Sequence, residues 1–290
     1  MKYLVMMVAS VALLLAGLPV ACMCSPRAKA PGISAMPEPG QTTTAEAAAG
    51  PTVAVRYPEG TVHGFLVLKD AAGTILAHGA LVQSVKDSTV TSKTAFDFPD
   101  GSHFEERVTY DQAGIFTLRQ YAMVARGTSF KEQLQVALDL QTGRYRVETR
   151  QDGKDKSKVV EGKIDLPEGV YNGMVSVIAK NLFDGPLTRV NYVAFTPEPK
   201  VIELELSHDR GQQVKLGHLS RQVAHFLIKP KLGVVLGVGA AVTGKSPPDN
   251  HIWMVTEGVP GFVRSQAPLV PDGPVWRIEL AVPQWEPGGE

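Results

Sequence analysis

The chain has 290 residues, with 29 basic and 29 acidic side chains and a formal net charge of zero. Hydrophobic residues make up 44% and charged residues 20%, which excludes a disordered polyelectrolyte, a collagen-like repeat and a polytopic membrane protein. Balanced charge also removes the usual electrostatic basis for nucleic-acid binding.

The first 24 residues read as a signal peptide. Lys2 supplies one positive charge, and Tyr3 to Leu18 is an apolar run broken only by Ser10 and Gly17 and ended by Pro19. A short basic start, an apolar stretch and small residues after it describe a secretory signal. The run is shorter than the ~20 residues that span a bilayer, whereas extending it through Met23 makes an uncleaved anchor long enough. Leu18-Pro-Val-Ala-Cys22 is similar to a lipobox, which would put a lipid on Cys22, although Pro19 stands where such signals carry Leu. Ordinary cleavage after Ala21 or Cys22 is the alternative. Cys22 and Cys24 are the chain's two cysteines, so the region beyond the leader has no disulfide, thiolate metal site or thiol nucleophile. The expected location is periplasmic, outer-membrane-attached or extracellular. The membrane is touched only through the N-terminal anchor, if that is retained or lipidated.

Residues 25–51 are rich in Pro, Ala, Gly and Thr and read as a disordered tether, because they cannot bury enough surface to offset chain entropy. Residues 52–285 read as a single β-rich domain. Strands are expected at His63–Lys69, Thr74–Ser84, Thr89–Phe98, His103–Tyr110, Ile115–Val124, Leu134–Leu140, Arg144–Arg150 and Lys158–Ile164, with turn signals about every ten residues. The pattern continues at Arg189–Phe195, Val201–Ser207, Arg221–Lys229, Gly233–Val242, His251–Thr256, Gly261–Ser265 and Val275–Val282. Lysines around Lys158 and Lys163, mixed with acids, suit a strand at a sheet edge.

One segment breaks the period of two. Asp165-Leu-Pro-Glu168 has a capping-box pattern, and Val170, Met174, Val177, Ile178 and Leu182 recur at helical spacing. A helix over about 165–183 so poor in charge must be buried on most sides. The fold expected is therefore a strongly curved antiparallel sheet, or a partly open barrel, packed around one apolar helix.

The segments DLPEGVYNGMVSVIAKNL (Asp165 to Leu182), GKSPPDNHIWM (Gly244 to Met254) and GPVWRIEL (Gly273 to Leu280) resemble an uncharacterised family of exported bacterial proteins with a domain of unknown function. The likeness covers nearly all of residues 60–283. It implies export and a β-rich body, and it carries over no catalytic residue.

Gly239-Ala-Ala-Val-Thr-Gly244-Lys245-Ser246 matches the P-loop spacing in full. That motif works only where a helix N-terminus follows and holds phosphate, and Pro247-Pro248 opposes a helix here, so the match reads as false and no cofactor is expected. Asp249, His251 and Trp253 share one strand face, and with His225 on a neighbouring strand they would offer a metal site or a base with its orienting acid. Asp97, Asp100, Glu105 and Glu106 read as a solvated acidic loop.

The function expected is a non-catalytic extracytoplasmic binding protein. Its ligand would be a lipid-like or amphipathic molecule, held near Met174, Val177, Ile178 and Phe183, or it would bind an envelope protein. Two alternatives stand beside it. One is a hydrolase, metal- or His/Asp-dependent, using Asp249, His251 and His225. The other is a structural envelope component, with the Pro/Gly-rich segment Val259–Pro274 as its contact.

Overall fold

The computed structural model describes residues 51–151, 156–182, 187–196, 198–216, 219–231 and 248–281. Cys22, Phe183, the expected strand Gly233–Val242 and the P-loop-like Gly239, Gly244, Lys245 and Ser246 lie outside the described residues.

The first half is an antiparallel meander of eight strands. They are β1 (Val62–Lys69), β2 (Ile75–Lys86), β3 (Thr89–Asp97), β4 (His103–Asp111), β5 (Thr117–Arg126), β6 (Glu132–Asp139), β7 (Arg144–Gln151) and β8 (Lys158–Lys163). After the two-residue β9 (Val170–Tyr171) and helix α1 (Val175–Asn181), the second half is another meander. It comprises β10 (Leu187–Thr196), β11 (Glu198–Leu216), β12 (Leu219–Lys231), β13 (Asn250–Val255), β14 (Gly261–Pro268) and β15 (Val275–Leu280). The strands form one sheet in the order β8-β7-β6-β5-β4-β3-β2-β1-β15-β14-β13-β12-β11-β10-β9. The two halves join at β1 and β15, where Leu66 faces Leu280 and Leu68 faces Ile278. Every pairing is antiparallel except β9 with β10.

Alternation makes one face of this sheet apolar, and burying that face curls the sheet. Phe98 and Phe130 of the first half pack against Trp276 of the second, with ring centroids 5.7 and 6.0 Å away. Tyr121 on β5 stacks on Phe195 of β10 at 5.8 Å. One continuous cluster of buried side chains lines the inner face. β8 is an edge strand, as its lysines suggest. Val259–Pro274, expected as an exposed contact segment, supplies β14 instead; Val259 itself remains exposed.

The helix is shorter than its periodicity suggests. Gly169 at φ +71° and Gly173 at φ +64° interrupt the right-handed run, and Val170–Tyr171 between them pairs with β10. Asp165 caps nothing in α1, whose first flanking residue is Met174 without a side-chain cap. At Gly173 a Cβ would lie 2.4 Å from a Val108 methyl, so the glycine also admits close approach of β4.

The expected burial of α1 holds. Ile178, Ala179 and Asn181 are at most 1% exposed. Asn181 Oδ1 accepts the backbone N–H groups of Arg56 and Tyr57, which ties the incoming chain to the helix. Lys180 is buried too, and its Nζ lies 2.5 Å from Glu59 on that same strap. Lys180→Met leaves the shielded Glu59 carboxylate with the Gln83 amide at 3.3 Å but without its cation, so a loss of about 3 kcal/mol is expected in urea unfolding. Unchanged stability would show that Glu59 escapes to water.

Candidate functional site

Two places combine chemistry with accessibility, one on each face of the sheet. On the inner face, α1 presents Met174 and Ile178, each 1% exposed, and the half-buried Val177. The two buried residues belong to the packed core. Half-buried apolar side chains continue around them on inner-face positions, including Leu81, Ile202, Phe262 and Ile278.

Glu106 lies among them. Phe104, Val108 and Tyr110 share its side of β4 and are buried, so alternation turns Glu106 inward. This corrects the expected solvated loop, because the four acids divide among three roles. Asp100 stitches a turn, accepting from the Ser102 N–H and the Ser102, Thr128 and Ser129 hydroxyls, and its pKa is held far down by those bonds. Asp97 and Glu105 point outward and pair with His103 and Arg107. The Glu106 carboxyl accepts one hydrogen bond, from the Tyr121 hydroxyl at 3.0 Å, and burial raises its pKa. Burial likewise raises Tyr192 above its ordinary range, with the Glu106 charge adding to it. Among the described residues, the inner wall thus holds a carboxyl with no cationic partner, two phenols and half-buried aliphatic side chains. The alternation of β4 could have revealed Glu106, but grouping the acids by sequence proximity hid it.

The outer face carries the histidines. β12 and β13 are neighbours, and His225 Nε2 lies 2.8 Å from His251 Nδ1. His225 also stacks on Trp253, with centroids 4.6 Å apart and planes at 17°. On the far side of Trp253, from β14, the Arg264 guanidinium carbon sits 4.0 Å from the ring centroid. Trp253 donates its indole N–H to Gln212 at 3.1 Å and packs with Val223 and Val263 in a second, small apolar cluster. The acid beside the pair is Asp209 on β11, 3.6 Å from His225 Nδ1. Asp249 is exposed ahead of β13. Asp209 escaped the sequence reading because the strand expected to end at Ser207 runs on to Leu216.

The described chain resumes at Pro248 and enters β13 at Asn250. Among the described residues no three His, Cys, Asp or Glu side chains converge as metal ligands.

No family model and no curated protein matches the chain. Among solved structures it is similar to a beta-barrel-like protein of the domain of unknown function DUF1849 from Brucella abortus. The identity is 10% and the TM-score 0.38, over 79% of this chain and 100% of that one. The fold class stands on the strand pairing described above.

Burial pushes the His225 pKa below 6.5; Asp209 opposes this, and the charges of His251 and Arg264 add to it. A depressed histidine favours the fold when neutral. Its contribution is complete above the unfolded value and is lost as pH falls toward the folded one. Asp209→Asn removes the opposing charge, so the loss of stability below about pH 6.5 should steepen. Unfolding midpoints between pH 7 and pH 5 check this, and parallel curves for variant and parent would refute it. Glu106 has the opposite sign. Its raised carboxyl favours the fold below 4.5 and costs stability as pH rises toward the folded value. Glu106→Gln should therefore raise Tm at pH 7 by about 2–4 °C, with the gain shrinking toward pH 4.

Proposed function

We propose that this is an exported, non-catalytic binding protein of the cell envelope whose inner sheet face takes a lipid-like or amphipathic molecule. One observation carries the reading: half-buried Leu81, Ile202, Phe262 and Ile278 share the inner face with Glu106, a carboxyl given one hydrogen bond and no counter-ion among the described residues. An aliphatic body would cover the apolar side chains, and its polar group would meet Glu106 and Tyr192. Val177 lies at the helix end of this surface, whereas Met174 and Ile178 support it from beneath. The leader over residues 1–24, Cys22 as a lipid acceptor, a domain without cysteine and the resemblance of Asp165–Leu182 to exported proteins support the location. Membrane contact would then be through the N-terminal anchor. An envelope protein is the alternative occupant of the same face.

Native mass spectrometry of protein purified from its own envelope should show an added lipid-like mass, reduced in Leu81→Asn. A clean apo mass together with an inner face filled by the chain's own side chains would end the proposal.

The bonded His225–His251 pair favours a second reading, a hydrolase in which Asp209 replaces Asp249 as the orienting acid. Metal analysis and hydrolysis assays on His251→Ala separate the two. A variant that loses stability alone removes the catalytic reading.

A further inference from the structure

Among the described residues, the outer face holds a cation that meets no acceptor. Arg264 makes no hydrogen bond and no ion pair within 4.0 Å among the described residues, and its Nε is shielded from water without an acceptor. The carboxylate facing it across the ladder, Glu279, is already engaged. Its Oε2 lies 2.6 Å from Lys69 Nζ and its Oε1 2.8 Å from Arg277 Nε. Three cations, Lys69, Arg264 and Arg277, therefore surround one anion.

Leaving a partly desolvated guanidinium without an acceptor costs free energy that a bound oxyanion would recover. The guanidinium rests over the Trp253 ring, so less side-chain freedom is lost when its terminal nitrogens grip two oxygens. Burial also lowers the Arg264 pKa, with Glu279 opposing and Arg277 adding, which agrees with a cation short of counter-charge.

We propose that Arg264, held over Trp253 beside Arg277 and Lys69, is an oxyanion-binding site that takes a carboxylate or phosphate group. The guanidinium fork binds the oxygens in pairs, and the two neighbouring cations offset the remaining charge. The site lies on the opposite sheet face from the apolar surface and does not depend on it.

The test titrates the full chain at low ionic strength with inorganic phosphate and, separately, with acetate, read by calorimetry and by the Arg264 Nε–Hε NMR cross-peak. Saturable binding is expected with a dissociation constant on the order of 1 mM. Arg264→Gln should weaken it by about tenfold, and Arg264→Lys, which keeps the charge and loses the fork, by several-fold. Arg221→Gln, whose parent side chain pairs with Glu257 at 3.0 Å, should leave it unchanged. Co-sedimentation with phosphatidylglycerol vesicles, against phosphatidylcholine vesicles, distinguishes a lipid headgroup from a free oxyanion. Arg264-dependent binding in any arm supports the site. No saturation in every arm, or binding that both Arg264 variants retain in full, overturns it.

Discussion

Among the described residues fifteen strands in one sheet give two large faces, and the alternation of the sequence makes only one of them apolar. The need to bury that face without a second sheet is the constraint on which the structure depends. Curling satisfies it, since inner-face residues become one another's cover, and Trp276 can meet Phe98 and Phe130 from distant strands. The seam between β1 and β15 sets how the curl grows. The two meanders extend from it in opposite directions and end at β8 and β9, which are neighbours in sequence. One edge is blunted by Lys158 and Lys163, and the other ends in a two-residue strand.

A sheet curled this far has an interior that its own side chains need not fill, and the chain inserts two pieces into it. Helix α1 contributes Met174 and Ile178, and the strap before β1 contributes Val53, whose N–H donates to the Tyr171 hydroxyl at 2.9 Å. Asn181 and Lys180 bind strap and helix to each other with polar bonds rather than contact area alone. Those bonds require particular partners, so they fix the register of two short segments that hydrophobic burial would leave free to slide. The same directional logic makes Glu106 conspicuous, for among the described residues its carboxyl meets only the Tyr121 hydroxyl.

Most strands were legible because their alternation and turn residues are local. His63–Lys69 and Arg144–Arg150 form where the period of two places them, and the strand expected at Val275–Val282 forms over Val275–Leu280. What was not legible depends on contacts distant in sequence. Helical spacing from Val170 onward was genuine, yet β10 captures Val170–Tyr171 as a strand, and two left-handed glycines make that choice available. His225 and His251 were legible as a pair once their strands were taken as neighbours. Their acid was not, because Asp209 joins them only through the continuation of β11 past Ser207, where the expected strand ended.

Two irregularities in the ladder build the outer site, and both flank Trp253. On β11 the pairing passes from Asp209–His225 to Gln212–Val223, which spends one extra residue. Before this bulge the outer face takes odd-numbered residues, Glu205, Ser207 and Asp209, and after it the even-numbered Gln212 and Val214. An unbroken strand would have turned Gln212 to the other side and removed the acceptor of the Trp253 indole. On β14 the pairing passes from Trp253–Arg264 to Met254–Phe262, again with one residue to spare. That residue is Val263, which packs beside Trp253 while Arg264 keeps its place over the ring. One bulge thus holds the indole by its edge and the other supplies the cation for its face. Residues unremarkable in the linear sequence become a single stack because the ladder slips once on each side of it.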